Sequence, residues 1–141
     1  MKTGNRYRAL IVGVAMLCLL LAGTSTNAAE STSVQPRLTA VSAIGAELDV
    51  TSSGRADCYS EVELRNGYTG DLTMVLQRST NQIIWSDVKT WTASGSGTIE
   101  MDKSYYVASG YYYRVVATVD TYNAAGSFVE TVSSNSQICN Y

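Results

Sequence analysis

The chain has 141 residues, 45% hydrophobic and 16% charged, a composition that suits one globular domain and excludes a wholly disordered chain. It contains no histidine, so neither a Ser-His-Asp nor a Cys-His catalytic site can be built. Ten basic and twelve acidic residues leave a net charge of −2, and no basic cluster lies in the body of the chain, which argues against nucleic acid as a partner.

In chain order, the first segment reads as an address. Lys2, Arg6 and Arg8 form a basic leader, residues 9–22 are apolar or small, and residues 23–29 are small and polar. That layout predicts a bacterial-type secretory signal peptide over residues 1–29, cut after Ala28 or Ala29, and a secreted, extracellular mature protein. The apolar run falls short of the ~20 residues a spanning helix needs, so no membrane insertion is expected after cleavage. Thr24 follows Leu21-Ala22-Gly23 where a lipoprotein would need Cys, so no lipid anchor is expected either. The leader holds three bases and no acids, so the mature chain keeps seven bases against twelve acids, a balance of −5. Such a surface has no attraction for anionic membranes. Cys18 departs with the leader, and the remaining pair, Cys58 and Cys139, predicts one disulfide in an exported domain.

Residues 30–37, rich in Ser, Thr and Gln with the only Pro, read as a flexible lead-in to a domain over residues 38–141. A first strand or strand pair runs from Leu38 to Val50 with a bend near Gly45, and Ser52-Ser53-Gly54 makes a turn. The clearest alternation follows: Ala56, Cys58, Ser60, Val62 and Leu64 on one face, Asp57, Tyr59, Glu61, Glu63 and Arg65 on the other. This predicts an antiparallel strand with one face in the core and one in water. Leu72, Met74 and Leu76 point inward from a third strand, and a hairpin returns through Trp85 and Val88 to Trp91. Residues 93–97 read as a Gly/Ser loop, Ile99 and Met101 as a fifth strand, residues 107–119 as a sixth entered through a Gly turn, and residues 128–133 as the last. No helical period appears after the leader. The expected fold class is all-β, a single seven-stranded antiparallel β-sandwich.

Two stretches, and the pattern of the whole chain, resemble known families. In Val107-Ala-Ser-Gly110-Tyr-Tyr-Tyr113-Arg-Val, the Gly three residues before Tyr113 and the alternation after it resemble the tyrosine corner of fibronectin type III and immunoglobulin-like sandwiches. The segment Leu76-Gln-Arg-Ser79 with the return to Val88 resembles a hairpin common in bacterial fibronectin type III domains, although Asn81-Gln82 stands where Asn-Gly or Asp-Gly is usual. With the leader, the Cys in the second strand, the Trp pair and the C-terminal Cys, the chain also resembles small secreted bacterial proteins grouped as a domain of unknown function. The resemblance implies a structural role for Tyr113, Gly110 and Val107, and it implies no activity.

Little in the chain carries chemistry. Glu61 and Glu63 share a strand face roughly 7 Å apart, a glycosidase-like separation, yet a solvated face lacks the burial that raises a carboxyl pKa. Glu100 and Asp102 read the same way. Asp57, Asp71, Asp102 and Asp120 are candidate calcium ligands, but they are scattered singly with no EF-hand-like loop. No catalytic residue, metal or cofactor is therefore expected. The surplus is aromatic: Trp85, Trp91, Tyr105, Tyr106 and Tyr112 are candidate contacts for a protein or cell-wall partner, or for a glycan. The leading expectation is a non-catalytic exported module making protein or cell-surface contacts. A carbohydrate-binding module using exposed Trp and Tyr is the alternative, with a hydrolase-like or calcium-binding domain more remote.

Overall fold

The computed structural model describes residues 37–141; the expected signal peptide, Cys18 and nearly all of the lead-in lie outside the described residues. Eight strands follow one another: β1 (Val41–Val50), β2 (Arg55–Leu64), β3 (Tyr68–Ser79), β4 (Ser86–Ser96), β5 (Thr98–Tyr106), β6 (Tyr112–Asn123), β7 (Phe128–Asn135) and β8 (Cys139–Asn140). They form two antiparallel sheets. The first has the order β1-β2-β5, and the second β4-β3-β6-β7, with β8 pairing with β6 beyond the end of β7. No helix occurs among the described residues.

The core lies between the sheets and follows directly from the period-two alternation. Ala56, Cys58, Val62 and Leu64 of β2 and Ile99 and Met101 of β5 meet Leu72, Met74 and Leu76 of β3 and Tyr113, Val115, Ala117 and Val119 of β6. Four of the β6 residues and the three of β3 are at most 1% exposed, so β3 and β6 form the centre of the second sheet.

Of the expected first strand or strand pair, the structure forms the single strand, because Gly45 stays extended opposite Glu61 and the only irregularity is a bulge between Val41 and Ala43. Two expectations about the elements are corrected. The Gly/Ser loop at 93–97 is mostly strand: Ala93, Ser94, Gly95 and Ser96 pair with Leu72, Asp71, Gly70 and Thr69, and Gly97 (φ 69°) alone turns the chain from one sheet to the other. An eighth strand closes the C-terminus. The Ser136 hydroxyl accepts the Val115 N–H at 2.8 Å, interrupting the ladder before the chain rejoins β6 at Cys139.

A carboxylate fixes the start of the domain. Glu130 on β7 accepts three backbone N–H groups, from Thr39 at 3.0 Å, Ala40 at 2.7 Å and Val41 at 3.1 Å. Partial burial pushes its pKa up, but the three donors and the Arg65 charge outweigh burial and hold it below the ordinary glutamate value. A group whose pKa is depressed on folding stabilises the native state above its unfolded pKa, and that stability is lost as pH falls through the folded pKa. Glu130→Gln is therefore expected to lower stability by about 2 kcal/mol at neutral pH. In urea unfolding the gap between variant and wild type should narrow as pH falls below the ordinary glutamate range; a gap unchanged by pH would contradict the charged clamp.

Candidate functional site

Register collects the acids on one face. Across β1, β2 and β5 the outward rows are Ala43–Glu63–Thr98, Gly45–Glu61–Glu100, Glu47–Tyr59–Asp102 and Asp49–Asp57–Ser104. Adjacent positions along a row are about 5 Å apart and successive rows roughly 7 Å. Seven of the chain's twelve acids, Glu47, Asp49, Asp57, Glu61, Glu63, Glu100 and Asp102, thus share the outer face of a three-stranded sheet. Arg55 offsets only one of them. Its guanidinium meets Asp57 at 2.8 Å in the one ion pair found among the described residues.

The acidic face is hollowed rather than flat. Two adjoining hollows of about 440 and 370 Å³ share Ala46, Glu47 and Tyr59. The larger is walled by Glu47, Asp49, Asp57 and Asp102 and reaches Leu48, Cys58 and Gln137; the smaller is walled by Glu47, Glu61 and Glu63 over Ala43, Ile44 and Gly45 of β1 and reaches Ser134 of β7. Tyr59 stands between them and donates its hydroxyl to Glu61 Oε2 at 2.9 Å. That bond, reinforced by burial and the charges of Glu100, Glu61 and Glu47, pushes the Tyr59 phenol up to about 12, so it remains a neutral donor at physiological pH. Such a face has no buried carboxyl to act as a general acid, and what it offers is negative potential with a phenol at its centre.

No protein-family model matches this chain, and neither does any curated protein.

The aromatic residues expected to form a contact surface are dispersed. Trp91 lies opposite Met74 and packs against the core, whereas Trp85 sits on the outer side of the second sheet beneath the Arg114 guanidinium, 4.2 Å from the ring centroid. Tyr105 (39% exposed) and Tyr106 (72%) end β5, and Tyr112 is half-buried beside Ser79 and Asn140. The Tyr113 hydroxyl donates to the Ala108 carbonyl at 2.7 Å, with Val107 and Gly110 (φ 88°) in the connecting turn. Of the candidate calcium ligands, Asp57 and Asp102 join the acidic face while Asp71 and Asp120 pair on the other sheet, and no group of three metal-ligating side chains forms among the described residues.

The expected Cys58–Cys139 bridge is not formed in this structure, where both residues are free thiols. Cys139 Sγ lies 3.4 Å from the Leu48 carbonyl oxygen, and Cys58 Sγ is directed at the Ala56 carbonyl, 3.9 Å away. Burial, with the charges of Asp57 and Asp102 adding to it, pushes the Cys58 thiol up to about 12. Burial and Asp49 likewise raise Cys139, against a hydrogen bond at Val50. Thiol oxidation runs through the thiolate, the form that burial disfavours at both sulfurs. Under non-reducing conditions residues 30–141 are expected to show two thiols to a thiol reagent in denaturant, with Cys58 silent in the native state. Detection of none would show the bridge.

The signals missed in the sequence are the ones that need partners. Glu47 and Asp49 join the site because β1 pairs with β2, and Glu100 and Asp102 because β5 pairs with β2 from the other side. Alternation alone could have put each acid on an outward face, but not on the same one.

Proposed function

We propose that this chain is a non-catalytic, exported binding module of fibronectin type III/immunoglobulin-like architecture that holds a cationic polypeptide on the outer face of its β1-β2-β5 sheet. The strand orders β1-β2-β5 and β4-β3-β6-β7 and the Tyr113–Ala108 bond support the architectural part. The pooling of seven carboxylates around Tyr59, six of them without an ion-pair partner among the described residues, carries the functional part. Like charges crowded on one face repel one another, and a basic ligand would relieve that repulsion while being steered toward the face. The recognition is electrostatic, so it weakens with salt.

The test is isothermal titration of the mature chain with an oligo-arginine peptide. Saturable, salt-sensitive binding is expected, weakened at least ~10-fold in the exposed-face variant Glu61→Gln/Glu63→Gln/Glu100→Gln. Equal affinity in the variant, or no binding at low salt, would overturn the reading.

A further inference from the structure

The β3–β4 hairpin ends in a knob that presents aliphatic side chains to water. Ile83 and Ile84 are 81% and 71% exposed. The knob is held by side-chain hydrogen bonds: Ser79 Oγ accepts the N–H groups of Asn81 and Gln82 at 3.2 and 2.9 Å, and Asn81 Oδ1 accepts those of Ile83 and Ile84, both at 2.9 Å. Gln82 adopts φ 60°, and its carbonyl accepts the Trp85 indole N–H at 3.2 Å. Exposure of the two isoleucines is thus built into a fixed turn.

The knob has a cationic collar. Arg78 lies 4.9 Å over the Tyr111 ring and Arg114 4.2 Å over Trp85, and neither makes an ion pair among the described residues. The nearest acid is Asp87, whose Oδ1 accepts the Gln77 Nε2–H at 2.8 Å while Gln77 Oε1 accepts the Arg114 Nε–H at 2.9 Å, so Asp87 reaches Arg114 only through Gln77 and makes no ion pair with it. An apolar convex tip flanked by arginines is the counterpart of the smaller hollow of the acidic face. There Ala43, Gly45 and Ala46 lie beside Tyr59, and Glu61 and Glu63 form the rim. The position a Cβ would take at Gly45 has no atom within 4 Å, so that part of the hollow is open.

We propose that the partner held on the acidic face is a second copy of this chain, its Ile83–Ile84 knob seated over Gly45 and its Arg78 and Arg114 facing Glu61 and Glu63. This rests on the acidic-face reading above. Knob and hollow are different patches of the chain, so a single knob-in-hollow contact is heterologous and leaves each copy of that pair with one unused knob or hollow, from which assembly proceeds head to tail. A single knob makes a small interface, so the association is weak, concentration-dependent and salt-sensitive.

Sedimentation velocity of the mature chain across a concentration series at low and high salt tests this. Oligomers that grow with concentration and dissolve in high salt are expected. Ile83→Asp/Ile84→Asp removes the knob at exposed positions, and Gly45→Leu fills the hollow where space is open and φ is not left-handed. Each variant alone is expected to be monomeric, with unchanged circular dichroism. An equimolar mixture is expected to form a 1:1 dimer and nothing larger, because each variant supplies the half the other lacks. Self-association of either variant, or a mixture that stays monomeric, would overturn the proposal. A wild type that is monomeric throughout yet binds oligo-arginine through the acidic face would overturn self-assembly alone; one that does neither would overturn both readings.

Discussion

Tyr113→Ala is expected to destabilise the domain by about 4 kcal/mol, the range for removing a large aromatic from a packed core. The side chain is 1% exposed, sits among the residues joining the two sheets, and meets the Tyr111 ring edge-on at 6.3 Å. Its hydroxyl reaches out of the core to the Ala108 carbonyl, tying the β5–β6 connection to the sixth strand. Burial raises the phenol pKa, against the pull of the Arg78 charge and the hydrogen bond, so the group remains a protonated donor at neutral pH. Tyr113→Phe separates packing from the corner bond. It keeps the ring and removes the donor, and because Ala108 is exposed its carbonyl can turn to water, so about 1 kcal/mol is expected. Urea unfolding of the two variants distinguishes the contributions. Equal losses would assign the whole effect to the hydrogen bond, contrary to the packing account.

Gly54→Ala should cost about 3 kcal/mol, or roughly 15 °C in Tm for a domain of this size. Gly54 closes the β1–β2 turn at φ 81°, where an L-residue is strained, and its N–H donates to the Thr51 carbonyl at 2.9 Å. A Cβ there would stand 2.9 Å from the Tyr141 ring, the Tyr141 hydroxyl and the Val107 carbonyl oxygen. The Tyr141 ring can swing aside, but Val107 is fixed, since its N–H donates to the Gly54 carbonyl at 2.8 Å. In a Tyr141→Ala background the same substitution is expected to cost about 1 kcal/mol less, the clash with the ring having been removed. Calorimetric unfolding of the four proteins gives that coupling directly, and a cost unchanged by Tyr141→Ala would place all the strain in the backbone.

Local patterns were readable where the physics is local. The alternation from Ala56 to Leu64 fixes which side chains of β2 are buried, and Gly110 with Tyr113 marks the sharp entry into β6. Residues 93–96 misled because Ala, Ser and Gly have low strand propensity; pairing with β3 and the contact of Ala93 with the core override it. The Glu130 clamp was illegible because one glutamate in a Val-Glu-Thr run says nothing about donors 89 to 91 residues away. The acidic face was half legible. Glu61 and Glu63 are outward by period, yet Glu100 comes opposite Glu61 only through pairing of strands that β3 and β4 separate in the chain.

The central claim, that the outer face of the β1-β2-β5 sheet is the binding surface, is tested most directly by amide chemical-shift mapping of labelled residues 30–141 titrated with oligo-arginine. Shifts concentrated at Gly45, Glu47, Tyr59, Glu61, Glu100 and Asp102, saturating together and reversed by salt, are the expected result. Shifts centred on β6 and β7, or none at saturating peptide, would contradict it.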